Sequence, residues 1–173
     1  MTKAVFCIAQ SMEQAELIVN HLKGADFSNN DISVLFPDKS TTQDFAHEKH
    51  TKSPEGGAIG GALGLGAGAI FGWLAGIGSL AIPGLGPFIA AGPIMGALSG
   101  AAVGAATGGL TGALIGLGIP EYEAKRYEGK ISSGNALISV RATTSEERDV
   151  AKKIFEHAHA EDISVTTEAA VSA

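Results

Sequence analysis

Asp44, His47, Glu48 and His50 form the densest group of imidazole and carboxylate side chains in the sequence, and such a group could hold a divalent metal. Zinc sites use ligands at characteristic separations that this run does not have, and the polar residues around it read as a solvated loop. His157 and His159 alternate near the end of the last helical segment, where the helix dipole favours positive charge, so they read as helix-end residues rather than ligands. Cys7, the only cysteine, lies in an apolar run of strand length and reads as a small core filler. A single cysteine also excludes any intrachain disulfide. The glycine-rich centre lacks the Gly-Lys-Ser/Thr ending of a phosphate-cradling loop, and its glycines do not sit between a strand and a helix start. Nothing resembles a nucleophile–base–acid triad or a carboxylate dyad, so the residues point to a protein that is not an enzyme and uses no cofactor or metal.

The residue type that stands out is glycine. All but Gly24, Gly129 and Gly134 of the 24 glycines lie between Glu55 and Glu121, a stretch with no Asp, Glu, Lys, Arg or His. Two ladders repeat every fourth residue: Gly56, Gly60, Gly64, Gly68, Gly72, Gly76, then Gly92, Gly96, Gly100, Gly104, Gly108, Gly112, Gly116. On a helix this spacing places the glycines along one slowly drifting face, where missing side chains let another backbone approach closely. Glycine in a water-exposed helix is about 1 kcal/mol worse than alanine, so ladders this dense need tight partners. The thirteen glycines are therefore the candidate helix-packing and oligomerisation site.

Two charged flanks must position that centre. Residues 1–55 carry five Lys or Arg against eight Asp or Glu, and residues 121–173 carry seven against ten, within a total of −6. The acidity argues against nucleic-acid binding, which needs clustered Lys and Arg. In the first flank Ala4 to Ala9 is a strand, Ser11 and Gln14 form a capping box before a helix that ends at Gly24, and Asp31 to Phe36 is a second strand. The second flank repeats the plan: a strand at Ala136 to Ala142, a capping box at Thr144 and Glu147, a helical face through Val150, Ala151, Ile154, Phe155 and Ala158, and a strand at Asp162 to Val165. Asp31-Ile32-Ser33-Val34 and Asp162-Ile163-Ser164-Val165 are the same tetrapeptide at the same place in each unit. Two β-α-β units with right-handed crossovers make one four-stranded sheet with both helices on one face, a ferredoxin-like arrangement.

The fold class expected is thus α+β, a ferredoxin-like domain split by an inserted apolar helical hairpin. Residues 1–38 and 135–168 are its halves, 39–54 a polar hinge loop, 55–120 the glycine-zipper hairpin, 121–134 an amphipathic connector and 169–173 a tail. Ser53-Pro54-Glu55 starts helix one, which runs to about Ile82, where Pro83-Gly84 stops it. Pro93 opens helix two, which runs to about Ile119. Each helix of roughly 26 residues is about 39 Å long, enough to cross a hydrocarbon core of about 30 Å. Lys49, Lys52, Lys125, Arg126 and Lys130 near the entry ends accord with the positive-inside rule. The tip, Ile82 to Pro93, has no charged residue, which equally suits a hairpin buried inside a homo-oligomer. With no signal-peptide pattern at the start, both termini are expected to be cytoplasmic, with the centre in a membrane or else in a cytoplasmic assembly.

Asn30 to Asp38, Pro54-Glu55-Gly56, Gly72-Trp73-Leu74-Ala75-Gly76-Ile77-Gly78, Ile82 to Pro87 and Gly118 to Ala124 together resemble a bacterial family of general-stress, heat-induced proteins with a glycine-zipper centre. The resemblance covers most of the chain and implies a bacterial source, and so a bacterial inner membrane as the expected location, together with a stress-linked context and a membrane-associated or self-assembling centre without a catalytic motif. The function expected is that of a self-assembling structural protein whose partners are its own copies and lipid. An oligomeric pore is the alternative, weakened by a ladder whose polar residues are only Ser79, Ser99, Thr107 and Thr111.

Overall fold

In a computed structural model the described residues are 2–37, 78–82, 86–94 and 102–167. The chain runs β1 (Lys3–Ala9), α1 (Met12–Gly24), β2 (Ile32–Pro37), β3 (Gly78–Ile82), β4 (Gly86–Ala91), α2 (Ala102–Gly116), α3 (Glu121–Ser132), β5 (Ala136–Ala142), α4 (Ser145–His157) and β6 (Glu161–Thr167). The strands form one antiparallel sheet in the order β3-β4-β2-β5-β1-β6, so the fold class is α+β.

The flanking elements follow from their sequences. Thr144 and Glu147 close a capping box at α4: the Glu147 amide donates to Thr144 Oγ1 at 3.1 Å and the Thr144 amide to Glu147 Oε2 at 3.2 Å. At α1 the Gln14 amide donates to Ser11 Oγ at 3.1 Å. The return bond lands one residue earlier than expected, with the Gln10 amide donating to Gln14 Oε1 at 2.6 Å.

Alternation across each strand builds two cores on one sheet. Val5, Cys7, Ile32, Val34, Ile138 and Val140 pack with Ile18 and Leu22 of α1 and Phe155 of α4. Ala4, Phe6, Ile8, Leu35 and Leu137 point the other way and pack with Leu110 and Leu114 of α2 and Tyr127 and Ile131 of α3. The sheet is the middle layer of three. The apolar run Ala4 to Ala9 of β1 and the mostly apolar β5, where Ser139 and Arg141 are the polar residues, follow from this, because neither face of these strands is left to water.

Two expectations for the centre are corrected. Helix one does not reach Ile82: Gly78–Ile82 is a strand, paired to β4 from Gly78↔Ala90 to Ile82↔Gly86. Short apolar runs between Gly and Pro satisfy strand and helix alike, and here pairing with the β2 edge, Val34↔Ala91 to Pro37↔Phe88, selects the strand. Pro87, which cannot donate to a ladder, lies just past the last β2 pair. Helix two is likewise not one rod from Pro93 to Ile119. Within α2, Gly109 adopts φ 58° and ψ −148°, a region essentially reserved to glycine, and splits the element in two. No helix among the described residues is long and apolar enough to cross a membrane. The first ladder (Gly56 to Gly76), the Asp44–His50 group and the hinge loop 39–54 lie outside the described residues.

Candidate functional site

The described ladder glycines do not form one stripe. Gly92 is not helical: it has φ 80° where the chain leaves β4, and a Cβ there would stand 2.0 Å from the Ile32 carbonyl oxygen. The close backbone approach at Gly92 is to β2 of its own chain and not to another helix. Two residues on, the Ile94 amide donates to Ser33 Oγ at 3.2 Å. Gly104 and Gly108 precede the break at Gly109 and Gly112 and Gly116 follow it. A Cβ at Gly116 would meet nothing within 4 Å. Gly96 and Gly100 lie outside the described residues.

The break is held from α3. The Thr111 amide donates to Glu128 Oε2 at 2.7 Å, and the Thr111 hydroxyl donates to the same oxygen. In an unbroken helix that amide would bond the Thr107 carbonyl; the first amides of a restarted helix lack such partners, and the carboxylate supplies one. After the break Leu110, Ala113 and Leu114 are buried, and Gly118 (φ 91°) closes the C-terminal end, its amide donating to the Ile115 carbonyl at 2.9 Å.

The main cluster of charged and polar side chains joins α3 to β6. Asp162 Oδ1 accepts from Arg126 Nη1 at 2.9 Å, and Lys130 Nζ stands 2.7 Å from Oδ2 as an ion pair and also meets Glu161. Glu161 takes a further bond from the Gln10 side chain. Burial opposes the charged form of Asp162, whose side chain is 17% exposed, yet the contacts from Lys130 and Arg126 outweigh it and hold the carboxyl below its usual range. The same contacts, with Asp162 first and Glu161 second, raise Lys130. Tyr127 lies beneath them. Its hydroxyl donates to the Asp162 carbonyl at 2.9 Å and shares a 2.7 Å bond with Ser164 Oγ, while its ring stacks on Phe6 at 6.3 Å between centroids. Burial pushes the phenol well above its ordinary pKa, against the smaller opposing effect of the Ser164 bond.

The repeated tetrapeptide acquires a structural role here. Ser33, Ser139, Phe6 and Ser164 lie in one row across the sheet, because Ser33↔Ser139, Phe6↔Ser139 and Phe6↔Ser164 are register partners. The serine of each repeat fastens a piece of the second layer, Ser33 the chain after β4 and Ser164 the α3 helix. Sequence reading missed Tyr127 as a core residue, although its spacing from Ala124 and Ile131 at three and four residues already marked a buried face. Tyr122, on the same helix, is 72% exposed, with the Arg126 guanidinium 4.8 Å from its ring centre.

The remaining chemical candidates are accounted for locally. Cys7 is buried, and burial raises its thiol well above the ordinary value, leaving the poorly nucleophilic protonated form. His157 Nδ1 lies 2.7 Å from the Lys153 carbonyl, and His159 takes a turn conformation with φ 57°. Among the described residues no group of three or more His, Cys, Asp or Glu is placed to hold a metal. A cleft bordered by Asp31, Ser33, Ser139, Arg141 and Leu117 has about 30 Å³ of free volume, which suits a water rather than a metabolite. No protein-family model, no curated protein sequence and no solved structure matches the chain.

Proposed function

We infer that this protein is structural and self-associating: a ferredoxin-like head, split between β2 and β5, that carries glycine-ladder segments whose close helix packing joins copies of the chain in or against an apolar phase. The observation that carries the reading is the register Leu35↔Leu137. It sets the end of β2 beside the start of β5, so the long insertion leaves and re-enters the head at one end of the sheet. The order β2-β5-β1-β6, with α1 and α4 over the same face, is the interleaving expected of two β-α-β units in a ferredoxin-like domain.

Where the apolar phase comes from is narrowed by β3 and β4. Because Gly78–Ile82 and Gly86–Ala91 belong to the head's sheet, the excursion before them has only residues 56–77 as its uncharged part. Two crossings of a bilayer need about 40 apolar residues. This favours a homo-oligomer whose glycine segments gather together, on a membrane surface or away from it, over a spanning hairpin. The stress association rests on the family resemblance.

Mass measurement over a range of protein concentrations, with and without lipid vesicles, tests the reading. The expected result is an oligomer for the wild-type chain and a smaller species for Gly64→Leu with Gly68→Leu, where leucine blocks close approach. A wild-type chain that stays monomeric at every concentration and does not float with vesicles would remove the proposal.

A further inference from the structure

The break in α2 combines three observations that a simple kink does not require. Gly109 occupies a backbone conformation essentially closed to other residues, yet a Cβ there would meet nothing within 4 Å. Glycine is therefore needed for its dihedral angles and not for space. The sequence around it, Ala105-Ala106-Thr107-Gly108-Gly109-Leu110-Thr111, has no proline and nothing else that forbids a continuous helix. Finally, the one carboxylate that replaces the lost helix bond comes from another element, with Glu128 of α3 taking both the amide and the hydroxyl of Thr111.

We propose that α2 is a latched hinge: Gly109 allows the bend, and Glu128, through Thr111, holds residues 110–116 against the sheet. Released, the two parts of α2 join as one helix. Gly104, Gly108, Gly112 and Gly116 then fall on one face, where the break now divides them two and two. Leu110 and Leu114 leave the core beside Phe6 and Leu137. The closed form uses this segment as the head's outer layer; the open form offers a small-residue face to the helix of a second copy. That last step rests on the self-association reading, whereas the hinge itself belongs to the single chain.

Hydrogen exchange on the full chain at one low concentration reads the hinge directly. Glu128→Ala is expected to speed exchange of the 110–116 amides at least about ten-fold while the α4 amides keep their protection. Thr111→Ser, which preserves both donors, keeps the wild-type rates. Gly109→Ala should loosen the same amides. It should also change the distance between spin labels placed by Ala105→Cys and Ser133→Cys by about one helical turn, roughly 5 Å, or more. The hinge is overturned if either Glu128→Ala or Gly109→Ala leaves 110–116 as protected as before, or if the label distance stays fixed. It is equally overturned if α4 loosens by the same factor as 110–116, since the break would then be an inseparable part of the head. Molecular mass is measured separately on the same variants: opening with no change of mass keeps the hinge and counts against its role in self-association.

Discussion

Asp162 shows how one residue can serve a fold in ways its neighbours in sequence do not reveal. It sits in the left-handed region at φ 49°, accepts from Arg126, and pairs with Lys130, and its carbonyl receives the Tyr127 hydroxyl. Its twin in the repeat, Asp31, performs a backbone task instead, accepting from the Arg141 amide at 2.8 Å. The tetrapeptide was legible in the sequence as a repeat, but the division of labour was not, because it depends on which insert element each copy faces. A pH dependence follows. The folded-state pKa of Asp162 is lowered, so the group stabilises the fold above the unfolded value of about 3.9 and that contribution is lost as pH falls through the folded value. Asp162→Asn, which tolerates the positive φ, should lower stability by on the order of 1 kcal/mol at pH 7, the ion pairs being partly exposed. Urea denaturation at pH 7 and again near pH 2 is the check. The difference between variant and wild type should shrink at low pH, and an equal difference at both would show that the carboxylate charge is not what matters.

At the level of elements, the flanks could be read from the sequence because their signals are local. Ser11, Thr144 and Glu147 cap helices through bonds spanning three or four residues, and the strands between them are bounded by turns. The stretch 78–91 could not be read this way. Its residues apart from Ser79 are apolar or glycine, so neither a period of two nor one of 3.6 stands out, and strand formation was decided by the β2 edge. Gly92 was read as a rung of a helix-packing ladder, whereas the close approach it makes is to β2 of its own chain. The way the β3–β4 hairpin is fastened makes Gly92→Ala the informative change. Its Cβ would overlap the Ile32 carbonyl, a backbone atom that cannot swing away, and φ 80° is itself unfavourable to alanine. The expected loss is about 3 kcal/mol, from overpacking and the left-handed penalty together. Thermal or urea unfolding measures it. A loss below about 0.5 kcal/mol, the level of an ordinary surface substitution, would mean that the hairpin is not seated on β2 in this way.

For the whole molecule, the consequential feature is a sheet shared by two cores. A ferredoxin-like plan read from the flanks alone covers one face with two helices and leaves the other unassigned. The apolar run Ala4 to Ala9, and the run Ala136 to Val140 with Ser139 as its one polar residue, already carried the missing information, because a strand open to water on one face alternates with polar residues. The sequence reading assigned α2 to a distant hairpin instead, since its Gly109 break and its pairing with Glu128 depend on tertiary contact. Whether the second layer melts with the sheet or ahead of it can be decided by substitutions on opposite sides. Ile18→Val trims the α1–α4 core and Leu114→Ala the α2–α3 core, with expected losses of about 1 and about 3 kcal/mol. The two side chains belong to different clusters separated by the sheet, so in a single cooperative unit their effects should add to within about 0.5 kcal/mol. A layer that opens on its own gives a different pattern: Leu114→Ala then speeds exchange in 110–116 and leaves the global unfolding midpoint close to wild type, while Ile18→Val still lowers it. Additive loss would bind the outer layer to the head's cooperative unit and confine any hinge motion to a minor population. An unmoved midpoint would mean that β1 and β5 are held chiefly by α1 and α4, and that the α2–α3 layer is the part of the molecule available for exchange with a second copy.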